Sequence, residues 1–255
     1  MTAQLLIILF TFFVQFTDKV GSQQIALSQK ALDKRAERGI AIDSMDYAVS
    51  PIYIDSLRVS GCHIHHTSRW MNGATIEADS STIQTITRWA FVDSIYLTRI
   101  TSAKEMLYHD SSAKDWVSLR KREVGNKDIT NNTNNYSSAQ QTEQLDLHLL
   151  HEAGFHGQGI TMAIIDGGFQ NADSLTAFDP IREQILGVYD MTDDADDIYG
   201  TTGGHGTKCF STIAGITSDY TGAATAAEYY LIRSEEHLTE SPKEIDNWVA
   251  AIEMA

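Results

Sequence analysis

Apolar positions change texture three times along the chain. The first run, Leu5 to Val14, is broken only by Thr11 and carries Phe10, Phe12 and Phe13. Its length suits the apolar core of a signal peptide and falls short of a bilayer span. No Lys or Arg precedes it, and Phe12 to Phe16 also has the character of a strand. Residues 1–22 are therefore read as a signal segment that overlaps the first strand of the unit behind it. Ser28 to Arg38 is a basic helical stretch, with Gly39 placed to stop it. Arg58 to Glu77 holds two strand-like runs around Met71-Asn72-Gly73, where Asn-Gly favours a tight turn. Ile83, Ile86 and Ala90 recur at helical spacing, and Tyr96 to Ile100 reads as a strand. The order strand, helix, strand, strand, helix, strand predicts a small α+β unit of the ferredoxin-like kind over residues 12–105.

From Ser102 to Gln144 the pattern fades. Asn131 to Ser138 has no apolar periodicity, and residues 106–144 are expected to form a polar linker. Arg120-Lys121-Arg122 within it has the composition of a processing site and equally of a solvated charge cluster. The sequons at Asn131 and Asn135 come cheaply in an Asn-rich tract. Beyond Leu145 the chain turns α/β. Ile160 to Ile165 is nearly continuous in apolar residues, the pattern of a strand buried on both faces of a parallel sheet. Tyr229 to Arg233 is a second strand. Ser241-Pro242-Lys243-Glu244 combines a capping-box pattern with proline at the first helical position. Behind it, Ile245, Trp248, Val249 and Ile252 predict one buried helical face. No glycine, asparagine or basic residue closes that helix, so residues 145–255 are expected to be part of a larger domain.

Composition narrows the function classes. Hydrophobic residues make up 42% of the chain and there are three prolines, which suits packed globular domains. The net charge of −15 opposes nucleic-acid binding, which needs a basic surface to displace phosphate counterions. No stretch after the first run is long enough to cross a membrane. Cys62 and Cys209 make no disulfide framework and are expected to be two separate buried thiols. In Cys62-His63-Ile64-His65-His66, strand alternation puts only His63 and His65 on one face, so one metal would gain two ligands at best. Asp193-Asp194-Ala195-Asp196-Asp197 offers oxygens to a calcium ion, but it lacks the glycine placement and terminal Glu of an EF-hand. No cofactor is expected; a structural calcium stays open without assignable ligands. Gly157-Gln158-Gly159 precedes its strand, whereas a dinucleotide fingerprint follows one.

Two positions carry the chemistry. Asp166 ends the apolar strand and is followed by Gly167-Gly168, at the strand end where α/β sheets gather functional groups. His205 sits in Gly204-His205-Gly206-Thr207, where flanking glycines leave open space around the ring, as a general base requires. Either alone is an ordinary loop residue. Together, a carboxylate can hold the imidazole tautomer while the far ring nitrogen takes a proton from a hydroxyl nucleophile.

Gly157 to Gly168 resembles the aspartate motif of subtilisin-like serine peptidases, and Gly204-His205-Gly206-Thr207 matches their histidine motif. The order Asp before His and the spacing also fit. Gly222-Ala223-Ala224-Thr225-Ala226 looks like the segment after the histidine helix, with Ala224 where proline is usual. Asp246 to Glu253 is similar to the next helix in exported members from Bacteroidetes. Gly167 departs from the usual Ser or Thr, and Lys208-Cys209 from the usual pair after the histidine motif.

The resemblance implies the amino-terminal half of a subtilisin-like α/β domain over residues 145–255, preceded by an inhibitory prodomain that packs on it. It implies catalytic Asp166 and His205, a peptide or protein substrate, and a secreted or cell-envelope location. The nucleophilic serine and the oxyanion asparagine would lie beyond Ala255, so residues 1–255 alone are expected to be inactive. Two other readings stay open. One is a non-enzymatic protease-binding or inhibitory remnant; the other is a metal-dependent hydrolase using His205, Asp166 and the acidic loop.

Overall fold

The computed structural model describes residues 9–101, 139–192, 197–200, 204–218, 220–236 and 240–255. Residues 1–8 of the signal segment, Arg120-Lys121-Arg122, both sequons and Asp193 to Asp196 lie outside the described residues. The chain divides into two compact units. One joins the first 124 residues to Ser241–Glu253, and the other spans Gly125–Glu240 with the last two residues.

The first unit runs β1 (Leu9–Phe16), α1 (Gln29–Glu37), α2 (Pro51–Val59), β2 (His63–Ser68), β3 (Gly73–Ala78), α3 (Ser80–Ile86) and β4 (Val92–Thr101). Its sheet has the order β2-β3-β1-β4, and every neighbouring pair is antiparallel. The chain leaves β1, returns at β2 one strand-width away, and fills the gap with β3, as a split βαβ connection does. Period-two alternation turns Val14 and Phe16 of β1 to one face. There they meet Tyr53, Ile54 and Leu57 of α2, Ile76 of β3 and Ile86 of α3, and Tyr53 stacks on Phe91 with centroids 4.2 Å apart.

The helix that packs this core is α2. The basic stretch at Ser28–Arg38 is helical and is capped by the Ser28 hydroxyl accepting from the Ala31 N–H at 3.2 Å, yet it buries no residue. The Asn-Gly turn forms as expected. Asn72 takes φ +48°, a left-handed conformation that asparagine tolerates better than most residues.

The second unit runs α4 (Ala139–Gln144), α5 (Leu147–Glu152), β5 (Thr161–Asp166), a 3₁₀ segment (Thr176–Gln184), β6 (Ile185–Asp190), α6 (His205–Ala214) and β7 (Glu228–Arg233). Its sheet is parallel, in the order β5-β7-β6. The central strand is β7, whose Tyr229, Leu231 and Ile232 are fully buried. The first apolar strand, β5, lies at the edge and buries only Ile164 and Asp166. It was expected to be covered on both faces, but Thr161, Met162 and Ile165 are only half-buried and Ala163 is exposed. Phe210 of α6 stacks on Phe178 at 4.6 Å and meets Tyr229 edge-on at 5.1 Å, which fixes the helix against the sheet.

The last helix, α7 (Lys243–Met254), belongs to the first unit as far as Glu253. Thr75 of β3 hydrogen-bonds Asp246, from the sheet face opposite α2 and α3. Its buried residues are Lys243, Asp246, Asn247 and Ala251, whereas Ile245 and Trp248 are 61% and 51% exposed. Of the apolar stripe read from the sequence, Ile245 and Trp248 are therefore uncovered and Val249 and Ile252 only half-buried, and α7 docks chiefly by its polar side. Among the described residues, no helix is long and apolar enough to cross a membrane.

Candidate active site

In a parallel sheet, all carboxyl ends of strands point to one edge, and the loops leaving them can converge there. Asp166 is the last residue of β5 and His205 the first of α6. The structure brings their side chains together. His205 Nδ1 lies 2.8 Å from Asp166 Oδ2 and 3.0 Å from Oδ1. Asp166 is 8% exposed, while the imidazole side chain is 79% exposed. A buried carboxylate thus grips one ring nitrogen of an imidazole whose far side faces solvent.

Further contacts hold Asp166 in place. Its Oδ1 accepts the Gly167 N–H at 2.8 Å. The backbone carbonyl of Asp166 accepts the Ser234 N–H at 3.0 Å, just past the end of β7. The first turn of α6 lies against it, and the positive end of a helix dipole favours a negative charge there. That approach requires glycine at position 206. A Cβ on Gly206 would sit 2.5 Å from the Gly168 carbonyl oxygen and 2.9 Å from Asp166 Cβ. Gly168 itself has φ +134°, a region in which L side chains are strained. Gly206 therefore sets how closely the acid and the base approach. At Gly167 an added Cβ would meet only the Glu235 side chain, at 3.2 Å.

A third residue joins the pair. Cys209 is one helical turn after His205, and its Sγ is 3.8 Å from both ring nitrogens. Cys209 is only partly buried, so the expectation of two buried thiols holds for Cys62 alone. The i, i+4 spacing on a helix brings side chains to one face, and this signal was present in the sequence. Desolvation pushes the Cys209 thiol up, and the Asp166 charge adds to the shift. This is the reverse of the depressed pKa that an activated thiolate needs. The equal distances also leave Sγ without the directed approach to one nitrogen that a Cys-His pair uses. Cys209 is therefore not placed as a nucleophile.

His63 and His65 share a strand neighbourhood with ring centroids 4.8 Å apart. Among the described residues, the group of three metal-capable side chains is Asp166, His205 and Cys209.

A second constellation, which sequence reasoning missed, lies in the first unit. Glu253 of α7 accepts from Ser68 Oγ at 2.5 Å, from the Arg69 N–H at 2.8 Å and from the Trp70 N–H at 3.2 Å. The Arg69 guanidinium donates to the Glu253 backbone carbonyl at 2.9 Å. Both side chains are nearly buried. Asp246, on the buried side of the same helix, has its pKa pushed up to about 6 by burial, against the lowering effects of Thr75 and Lys243.

Residues 11–113 match the family model of the peptidase S8 propeptide domain of Bacteroidota. No curated protein matches the chain.

Proposed function

We propose, from the premise that the chain is a subtilisin-like peptidase precursor of the Bacteroidota type, that Asp166 and His205 are the orienting acid and general base of a serine endopeptidase. The observation that carries this reading is the contact of His205 Nδ1 with the buried Asp166 carboxylate at 2.8 Å. A carboxylate bound at Nδ1 fixes the proton there. It leaves Nε2 with a lone pair, which can take the proton of a serine hydroxyl as it attacks a peptide carbonyl. The resulting imidazolium is stabilised by Asp166 and then protonates the leaving amine. The resemblance places that serine C-terminal to the dyad, so the acyl-enzyme forms on a residue outside positions 1–255. Residues 145–255 then form the amino-terminal half of the peptidase domain.

The first unit is the propeptide of that precursor, a ferredoxin-like sheet with two helices on one face. A propeptide interacts with its own catalytic domain. By its sequence α7 continues the peptidase part, yet its polar side lies on the propeptide sheet, with Glu253 bound by three donors of Ser68, Arg69 and Trp70. Export to the cell envelope or beyond suits a peptidase kept inactive until release.

The test is steady-state peptide hydrolysis by the product of the full reading frame. His205→Ala is expected to lower kcat by about 10⁴–10⁶ and Asp166→Asn by about 10⁴, with KM little changed. Equal activity in wild type and H205A rules the dyad out.

A further inference from the structure

We infer that Asp166, His205 and Cys209 form a binding site for a borderline-soft divalent cation of the zinc class, and that metal held there switches off the base; the switching-off rests on the dyad reading above, whereas binding does not. The three residues offer one carboxylate oxygen, one imidazole nitrogen and one sulfur, all within 4.8 Å of one another. Tetrahedral zinc with its usual bond lengths sets neighbouring N and O donors about 3.3 Å apart and N and S donors about 3.6 Å apart. Here Nδ1 to Oδ2 is 2.8 Å and Nδ1 to Sγ is 3.8 Å. Those two pairs need to change by about half an ångström or less, and the carboxylate oxygen and the sulfur, within 4.8 Å of each other, need to close by about 1.2 Å at most.

Freedom for that motion is on the ligand side of the site. The His205 ring is mostly exposed, and Cys209 is partly exposed on the same helix face. Asp166 is held by the Gly167 N–H, the kind of outer contact that orients a ligating carboxylate. Three protein ligands leave a fourth position for water, as in an open zinc site. The sulfur discriminates against calcium and magnesium, which prefer all-oxygen sets.

The proton balance gives the consequence. Metal takes the Nδ1 position, and the proton it carried moves through solvent to Nε2. The thiol loses its proton to solvent, and the carboxylate gains none. His205 then presents an N–H on Nε2 where the reaction needs a lone pair. The base is lost without any change in covalent structure.

The test is titration of the 255-residue chain with cobalt(II), followed by thiolate-to-cobalt charge-transfer absorption in the near ultraviolet. One equivalent is expected to develop the band, and one equivalent of zinc to bleach it. Cys209→Ser is expected to abolish the band, while Cys62→Ser, in the other unit, keeps it. His205→Ala is expected to weaken or remove it, which separates this site from His63 and His65. A wild-type chain with no band overturns the site, and so does a band unchanged in C209S. The readout needs no turnover, so its failure leaves the peptidase reading standing and can be told apart from the failure of that reading.

Discussion

The helices α6 and α7 are of similar length and similar amphipathic pattern, yet they bury opposite kinds of surface. α6 turns Phe210 and Ala214 into the core, with Phe210 on Phe178 and Tyr229. α7 turns Lys243, Asp246 and Asn247 inward and leaves Ile245 and Trp248 to solvent. In α6 the hydrophobic effect sets the orientation, and His205 is delivered to Asp166 as a result. In α7 the directed bonds of Glu253 and Asp246 set it. Such bonds are specific in geometry and modest in net stabilisation, because each buried charge first loses its water.

The comparison breaks most visibly at Phe210. Phe210→Ala is expected to destabilise the second unit by about 3–5 kcal/mol through the cavity left beside Phe178 and Tyr229, read as a lower Tm. The α7 counterpart is Glu253→Ala, which strands the part-buried donors of Ser68 and Arg69 and frees the exposed Trp70 N–H. We expect a loss of about 3 kcal/mol from the first unit, measured by denaturant unfolding. Glu253→Gln keeps the shape and is expected to lose less than half of that.

Asp246 sharpens the picture through pH. Its carboxyl is pushed up from 3.8 to about 6 by burial, so the docked state holds a proton that the undocked state has released. Docking is therefore strongest below about pH 4 on this group's account, weakens as pH rises to about 6, and is level above that. The full span is about 3 kcal/mol. Asp246→Asn is expected to flatten this slope; a slope unchanged in D246N contradicts it. The smallest effect belongs to the uncovered stripe. Ile245→Ser is expected to shift stability by about 0.5 kcal/mol or less in this chain.

Much of this architecture was legible in the residues. The alternation in Phe12 to Phe16, the Asn72-Gly73 turn and the spacing of Ile83 and Ile86 gave the elements of the antiparallel sheet. α2 was hidden because Ile52-Tyr53-Ile54 is a continuous apolar run with no visible period, and only the tertiary contact shows that Tyr53, Ile54 and Leu57 share a core. β6 carries Gly187 and exposes Leu186, Val188 and Tyr189, so no clean pattern marks it. Asp166 and His205 stood out because glycines adjoin both, and of these Gly206 proves to be a steric requirement of their approach, with Gly168 held at a φ that favours glycine. α7 misled because periodicity reports which residues are apolar, whereas the Glu253 and Asp246 contacts are made by residues from far along the chain.

The most direct measurement is fluorophosphonate labelling of the product of the full reading frame, sequenced past codon 255, beside its H205A variant. The account predicts label on a serine C-terminal to the dyad in the wild type and almost none in H205A. An unlabelled wild type, or label that persists without His205, contradicts it.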